Sequence, residues 1–223
     1  MNLIHKEVLG LLRKYKILAQ RYLDVGCGDG CFTLKVAELV GAEEIYGIDV
    51  GDLHPSQKLK FVRLDAAKDE FPFADEYFDL ITAIELIEHL PFSDNFFAEC
   101  FRVLRRGGYL LITTPNLASW LNRVLLLFGY QTTHTPTPSR YYVIGLPSKV
   151  RKYTCISDPW DLGHVCGYTF KGLSDMLAIY NFFIISRKFI PYQYRFRAAN
   201  WLERFFSKKT SLAGGLLILA EKR

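Results

Sequence analysis

The sequence has little that could crosslink the chain. It contains five cysteines, an odd number, and no two of them form a C-x-x-C pair: Cys27, Cys31, Cys100, Cys155 and Cys166. This pattern fits reduced thiols and argues against a disulfide framework or a cysteine zinc site. We therefore expect a cytoplasmic protein.

Long apolar runs are also missing. The runs at 124–128 and 216–220 are far too short to span a bilayer. Residues 1–16 mix charges with leucines and have no secretory core region, which is typical of an amphipathic helix. The composition is that of a globular protein. We expect one domain over residues 1–223, with an inserted lid or substrate segment at about 117–168.

Acidic residues are nearly absent from residues 186–209. Seven Lys or Arg stand there against Glu203 alone, whereas the whole chain carries a net charge of +5. Aromatic residues are interleaved with these cations. The segment could dock on an anionic membrane surface, bind the phosphates of a nucleic acid, or form an ordinary solvated strand and helix. Since the aromatic residues stand beside aliphatic ones and no RNA-binding module is present, we favour peripheral contact with the inner face of a membrane over nucleic acid.

Short apolar runs alternate with helical patterns from residue 21 onward. The predicted strands are 22–25, 44–49, 59–64, 78–83 and 109–113. The predicted helices are 31–40, 94–105 (closed by Gly107 and Gly108) and 170–180. Such alternation predicts an α/β fold with a doubly wound, mostly parallel sheet, in which ligands bind at the carboxyl ends of the strands.

The first predicted strand runs into a glycine-rich loop, LDVGCGDG. Its glycines at 26, 28 and 30 permit a sharp turn and close approach of backbone N–H groups to a ligand. A dinucleotide fingerprint would be G-x-G-x-x-G, but Cys31 stands where the third glycine would be. The loop spacing therefore weighs against NAD.

Carboxylates stand at the ends of three successive strands. Asp49 ends the second, where a carboxylate can accept hydrogen bonds from both hydroxyls of a ribose. Asp65 ends the third, where it could accept from an adenine amino group, and Asp24 stands just before the glycine loop. Each alone could be a turn residue. Together they would repel a pyrophosphate but suit an adenosine that carries a cationic group.

Five segments in this order and spacing resemble the class I S-adenosylmethionine-dependent methyltransferases. They cover about residues 20–116: LDVGCGDG, YGIDV, LDAAKDEFPF, FDLITAIELIEHL and FRVLRRGGYLLITTPN. The resemblance implies a Rossmann-like three-layer α/β/α sandwich with a mostly parallel seven-stranded sheet whose last strand is antiparallel. The apolar runs at 181–190 and 212–220 are candidates for the final two strands.

The resemblance also implies S-adenosyl-L-methionine as the cofactor. Its methionine end is expected near Asp24 and the first two glycines, its ribose near Asp49, and its adenine near Asp65. The full set of expected cofactor-binding residues is Asp24, Gly26, Cys27, Gly28, Asp49, Val50, Asp65, Ala66 and Ile84.

The segment IELIEHL places Glu85, Glu88 and His89 at i, i+3 and i+4, which on one helical turn would share a face. With His164 as a fourth ligand, they could hold a divalent ion such as Mg, Mn, Fe or Zn. The arrangement resembles ubiquinone-biosynthesis O-methyltransferases and enzymes that 2′-O-methylate small-RNA 3′ ends, in which a metal lies beside the accepting hydroxyl. Three interpretations stay open: this metal site, a catalytic group of His89, Glu88 and His164, or a structural turn.

These patterns predict an S-adenosylmethionine-dependent methyltransferase. The expected acceptor is an oxygen of a small or lipid-like molecule, such as a quinone or isoprenoid precursor, a lipid or a glycan intermediate. The alternatives are an RNA 2′-O-methyltransferase and a non-catalytic module that binds an adenosyl ligand. Apolar and aromatic residues that could line an acceptor pocket, or merely pack, are Trp120, Leu125, Leu126, Leu127, Phe128, Tyr141 and Tyr142.

Overall fold

Seven strands form one sheet in a computed structural model of the protein. The structure describes residues 2–51, 58–133, 145, 147, 164–192, 197–207 and 211–223, without the side chains of 197–199. The strands are β1 (Arg21–Val25), β2 (Glu44–Asp49), β3 (Lys60–Arg63), β4 (Phe78–Ile84), β5 (Leu104–Pro115), β6 (Phe182–Ile190) and β7 (Gly215–Lys222). Their order in the sheet is β3-β2-β1-β4-β5-β7-β6.

The first five strands are parallel, and β7 runs antiparallel to both of its neighbours. The predicted seven-stranded, mostly parallel sheet with an antiparallel last strand is confirmed. Parallel strands place all their carboxyl ends at one edge, so the loops that follow β1, β2, β3 and β4 meet there.

Helices cover both faces of the sheet. They are α1 (Leu3–Lys14), α2 (Cys31–Val40), α3 (Asp94–Val103), α4 (Trp120–Leu127), α5 (Phe170–Ile179) and α6 (Arg197–Ser207), with a short 3₁₀ turn, η1, at Ile87–His89. Adjacent residues of a strand face opposite sides. Leu80 therefore packs against α1 and α2, while Ile81 packs against α3 and α5. None of the helices that the structure describes has the length and apolar character needed to cross a membrane.

The boundary between α3 and β5 differs from the prediction. The helix ends at Val103 and the strand begins at once, so Gly107 and Gly108 lie inside β5 and do not close the helix. The pairing of β4 with β5 jumps from Phe78–Leu104 to Leu80–Tyr109, which leaves a bulge between them. The positive φ of 71° at Gly107 allows this bulge, because glycine has no Cβ to oppose it.

The expected inserted segment at about 117–168 is described only in part. Its first residues form α4, and its last residues bring Tyr168 into a parallel bridge with Asn116 at the end of β5. Residues 134–163, apart from 145 and 147, lie outside the described residues, and with them the predicted pocket residues Tyr141 and Tyr142.

Asp24 is buried inside the sheet, beneath the turn that follows β1. Its two carboxyl oxygens accept hydrogen bonds from the hydroxyls of Thr33 in α2 and Thr82 in β4, each 2.6 Å long. Thr82 in turn is hydrogen-bonded to the hydroxyl of Tyr22. Burial outweighs these hydrogen bonds and raises the pKa of Asp24 from 3.8 to about 6. The ionised form is therefore costly in the folded protein.

We predict that Asp24→Asn stabilises the ligand-free protein at neutral pH. Because folding raises this pKa, the folded state favours the protonated carboxyl group, and stability falls as the pH rises from about 4 through about 6. Asparagine stays neutral and can still bond both threonines. Urea unfolding at pH 7.5 should show a gain of up to about 3 kcal/mol, which should vanish near pH 4.

Asp79 provides the control with the opposite sign. Its burial opposes ionisation, but the backbone N–H groups of Arg21 and Gln20 and the guanidinium of Arg105 donate to it and lower its pKa. Its stabilisation is present above the unfolded-state pKa and is lost as the pH falls. Asp79→Asn should therefore destabilise the protein at pH 7.5 and matter less in acid. The same pH response in both variants would contradict the assignment of Asp24.

Candidate functional site

The glycine loop turns sharply between β1 and α2. Gly26, Gly28 and Gly30 all have positive φ, at 77°, 51° and 73°. A Cβ at Gly26 would also lie 2.9 Å from the side chain of Leu86, which follows β4. Glycine at 26 is thus needed both for the backbone conformation and for the close approach of these two loops.

Cys27 fills the space beneath this loop. Its sulfur lies 2.7 Å from the position a Cβ would take at Gly47, so the glycine in β2 makes room for the thiol. Burial, and then the nearby carboxylates of Asp24 and Asp49, raise the pKa of Cys27 to about 12. The side chain is therefore a neutral thiol at physiological pH and packs without acting as a nucleophile.

Asp49 is oriented by two backbone N–H groups. One carboxylate oxygen accepts from Gly28 and the other from Gly51, each at 3.0 Å. The glycine loop and the end of β2 are thus joined through this side chain. Each oxygen keeps a further lone pair, so the carboxylate can still accept from two hydroxyls of a ligand.

Asp65 is held in a similar way after β3. One of its oxygens accepts from the N–H of Ala67 at 3.0 Å, and the other forms an ion pair with Lys68 at 3.0 Å. The side chain is about one-third exposed. The ion pair leaves the carboxylate accessible while neutralising its charge, which suits an uncharged donor such as an amino group on a base.

One cavity borders both carboxylates. Five of the residues predicted to bind the cofactor line it: Gly26, Asp49, Val50, Asp65 and Ala66. The other four predicted residues, Asp24, Cys27, Gly28 and Ile84, are not among the described residues that line it. Asp24 lies under the loop, and Gly28 meets the cavity indirectly through its N–H bond to Asp49. This difference arises because a strand-end residue points either into the cavity or into the sheet.

The cavity also has walls that the sequence analysis missed. These residues are Val25, Ile48, Leu64, Lys68, Leu86, Leu90 and Pro91. Leu86 and Leu90 belong to the IELIEHL segment, and they are its apolar residues that face the cavity beside His89. Apolar walls with a few oriented polar groups are typical of a small-molecule site.

Glu88 is buried in the turn η1 beside this cavity. One oxygen accepts from the hydroxyl of Thr114 at 2.9 Å, and the other, Oε1, has no hydrogen-bond partner in the part of the chain that the structure describes. Burial, and then the charge of nearby Glu85, raise the pKa of Glu88. A buried, unpaired carboxylate oxygen is costly, and such groups often mark a site that binds a proton, an ion or a ligand.

His164 reaches this turn through the backbone of Glu88. The carbonyl of Glu88 accepts from the N–H groups of Val165 and Cys166, at 2.8 and 3.1 Å, which anchors the distant segment. The rings of His89 and His164 meet edge to face with centroids 4.9 Å apart. One ligand atom from each of Glu88, His89 and His164 lies within 4.8 Å of the others. We call these three residues the Glu88 cluster.

Glu85 does not join the Glu88 cluster. Its φ is +53°, so it lies outside the helical geometry that would have placed all three residues of the segment on one face, and η1 starts only at Ile87. Its carboxylate instead accepts a 3.4 Å hydrogen bond from the hydroxyl of Tyr192, and burial raises its pKa. Of the four predicted metal ligands, the structure thus brings three together.

His89 belongs both to the cavity and to the Glu88 cluster. The cavity with its two carboxylates therefore continues directly into a group of one carboxyl and two imidazoles. Such a group can hold a hydroxyl, take its proton, or bind a cation.

The predicted apolar pocket residues behave differently: Leu125 is buried, whereas Leu126, Leu127 and Phe128 are exposed, and none of them lines this cavity.

Comparison with known proteins agrees with this geometry. Residues 23–112 match the model of a methyltransferase domain. A "Probable S-adenosylmethionine-dependent methyltransferase" of Mycolicibacterium smegmatis is 31% identical over 117 residues, which cover 47% of this chain and 45% of the relative. A ubiquinone biosynthesis O-methyltransferase of Burkholderia thailandensis is 30% identical over 156 residues, covering 65% of this chain and 61% of the relative. The chain spans about half the length of the curated relatives it matches.

Solved structures share the whole fold. An S-adenosylmethionine-dependent methyltransferase from Mesorhizobium loti covers 98% of both chains with a TM-score of 0.63 at 18% identity. One from Methanosarcina mazei covers 94% of this chain and 96% of its own with a TM-score of 0.58 at 19% identity. These findings confirm the resemblance: the chain has the fold of the class I S-adenosylmethionine-dependent methyltransferases, and residues 23–112 match a methyltransferase domain.

Proposed function

We propose that this protein transfers a methyl group from S-adenosylmethionine to an oxygen of a small or lipid-like acceptor. The observation that carries the proposal is the position of His89, which lines the cavity beside Asp49 and Asp65 and also belongs to the Glu88 cluster. This position supports an acceptor site next to the cofactor site. The curated relatives named as ubiquinone biosynthesis O-methyltransferases support an oxygen acceptor on a small molecule.

The cofactor end of the site is suited to binding and alignment. Asp49 accepts from the ribose hydroxyls, and Asp65 accepts from the adenine amino group beside Ala66. The sulfonium is already activated, so the protein accelerates transfer mainly by holding the nucleophile in line with the methyl group. Buried Asp24 adds negative charge beneath the loop, which favours the cationic amino and sulfonium groups.

The acceptor end can receive the hydroxyl proton. Because the pKa of Glu88 is raised, its carboxyl group holds a proton more readily than an ordinary glutamate and can donate a hydrogen bond. The imidazoles of His89 and His164 are then the basic groups in the Glu88 cluster. An acceptor hydroxyl placed against them loses its proton as the methyl group is transferred.

A divalent ion fits the same group. The unpaired Oε1 of Glu88 and two imidazole nitrogens offer the oxygen and nitrogen donors that Mg, Mn, Fe or Zn sites use. When bound, such an ion would lower the pKa of an acceptor hydroxyl. The side chains of Glu88, His89 and His164 would hold the ion. Glu85 would act on it only through its effect on the pKa of Glu88.

We predict that Asp49→Asn weakens S-adenosylmethionine binding by about 10- to 100-fold, because the ribose hydroxyls lose a charged acceptor. Calorimetry measures the affinity for S-adenosylmethionine and for its demethylated product, with NAD as the comparison ligand. Asp175→Asn, on an exposed position of α5, is the matched control and should bind as the wild type does. Failure of the wild-type protein to bind either adenosyl ligand would overturn the proposed function.

For the metal, we predict that Glu88→Gln lowers the affinity for Mn²⁺, Mg²⁺ or Zn²⁺ by at least about tenfold. Glu85→Gln should keep most of the affinity, because Glu85 is outside the Glu88 cluster. Calorimetry of chelated protein and metal analysis of purified protein give the readout without an activity assay. Full methyl transfer by metal-free protein would contradict the metal and leave the histidines as the base.

The acceptor class is tested by transfer of labelled methyl groups into a lysate separated into lipid, small-molecule, RNA and protein pools. We expect the label in the lipid or small-molecule pool, as an ether that resists mild alkali. His89→Gln should lose far more methyl transfer than cofactor binding, because His89 belongs to the Glu88 cluster as well as to the cavity wall. Label confined to RNA would contradict the proposal and favour a 2′-hydroxyl acceptor. No transfer to any pool, with normal cofactor binding, would favour a non-catalytic binding module.

A further inference from the structure

Helix α6 buries its acidic residue and exposes its aromatic residues. Glu203 is 0% exposed, whereas Trp201 is 68% and Phe205 is 67% exposed. The two exposed rings stack on each other one turn apart, with centroids 6.3 Å apart. A surface helix of a soluble protein normally does the reverse, because exposing large aromatic side chains to water is unfavourable.

The inverted orientation is held by strong hydrogen bonds. The carboxylate of Glu203 accepts from the indole N–H of Trp120 at 2.6 Å, and from the backbone N–H groups of Tyr192 at 3.0 Å and Gly214 at 2.6 Å. These partners come from α4, the end of β6 and the start of β7. Rotating α6 to hide its aromatic rings would break all three hydrogen bonds to Glu203, so the rings remain outside.

Helix α4 adds further apolar residues at the same edge of the sheet. Leu126, Leu127 and Phe128 at its carboxyl end are exposed. The two helices touch where Trp120 stacks on Phe206 with centroids 6.0 Å apart. Both follow strand ends at the edge of the sheet that holds the cavity. We call the exposed residues of the two helices the α4–α6 surface: Leu126, Leu127, Phe128, Trp201, Arg204 and Phe205.

The sequence around this surface is basic. Glu203 is the one acid among residues 186–209, and its burial leaves no acid of that segment facing water among the described residues. Arg204 is exposed between the two aromatic residues. Four more cations flank or begin the helix in the sequence: Arg195, Arg197, Lys208 and Lys209. Exposed aromatic and aliphatic side chains bordered by Lys and Arg are typical of a helix that lies in the interface of an anionic bilayer.

We propose that the α4–α6 surface docks on an anionic lipid bilayer. The apolar side chains enter the headgroup region while the cations meet the lipid phosphates. A second copy of the chain is a poorer occupant, because a two-fold interface would bring these cations against themselves. A nucleic acid would use the cations and the rings but would leave Leu126 and Leu127 in water. The inference goes beyond the proposed function and does not depend on it.

The test is co-sedimentation of the full chain with vesicles of phosphatidylcholine alone or with phosphatidylglycerol added. We expect binding that needs phosphatidylglycerol and weakens as salt is raised. The double variant Trp201→Ala/Phe205→Ala should bind at least about tenfold more weakly. Arg204→Gln should weaken vesicle binding about fivefold, and only on anionic vesicles.

Leu18→Ala/Ile179→Ala is the matched control. These residues are 77% and 68% exposed, but they precede β1 and β6 and so lie at the opposite edge of the sheet. The control should bind vesicles as the wild type does. Equal loss of binding in the control and in the aromatic variant would overturn the proposal.

Two further measurements separate membrane docking from self-association. Tryptophan emission should shift to shorter wavelength on anionic vesicles, and the shift should be much smaller in Trp201→Phe, which keeps an aromatic ring. Sedimentation velocity without lipid should show no self-association that depends on Trp201. Binding that ignores lipid charge, self-association abolished by Trp201→Ala/Phe205→Ala, or tighter binding to a single-stranded RNA than to vesicles would each overturn it.

Discussion

The arrangement of the site depends on Glu88, which joins three stretches of chain that are far apart in the sequence. Its backbone carbonyl anchors residues 164–166, and its side chain accepts from Thr114 at the end of β5. The first contact, together with the bridge between Tyr168 and Asn116, brings His164 to His89. The site is thus assembled by backbone hydrogen bonds first, and the chemistry of the side chains follows from them.

Three buried carboxyl groups differ in the hydrogen bonds that they accept. Asp24 is bonded by two hydroxyls, and Glu203 is bonded by three N–H groups. Glu88 has one hydroxyl partner and one oxygen without a partner among the described residues. The first two groups are satisfied by the fold itself and hold it together. The third keeps an oxygen that could still accept a hydrogen bond or bind an ion.

The fold and the cofactor side could be predicted because their signals are local. A strand that ends in glycines or in an acid, repeated at regular spacing, is enough to place Gly26, Asp49 and Asp65 at one edge of a parallel sheet. The directions of the Asp24 and Cys27 side chains could not be predicted in the same way, because packing decides whether a side chain faces the cavity or the core. That choice is made by partners such as Thr33 and Gly47, which lie elsewhere in the sequence.

The acceptor side was harder to predict for the same reason. Helical spacing placed Glu85 beside Glu88, but an unusual left-handed backbone at Glu85 turned it toward Tyr192. Spacing also could not reveal that Glu203 turns inward, because its three partners come from distant elements. Long-range contacts of this kind leave no periodic pattern in a sequence.

The position of β7 has a consequence for the order in which the molecule assembles. This strand follows β6 and α6 in the chain, yet it lies between β5 and β6, and β6 pairs with no other strand of the described sheet. During synthesis β6 therefore has no sheet to join until β7 has been made. Gly214, which precedes β7, is also a partner of Glu203, so the orientation of α6 is settled in the same late step. The strands that border the cavity are made first, and the edge of the sheet that carries α6 is completed last.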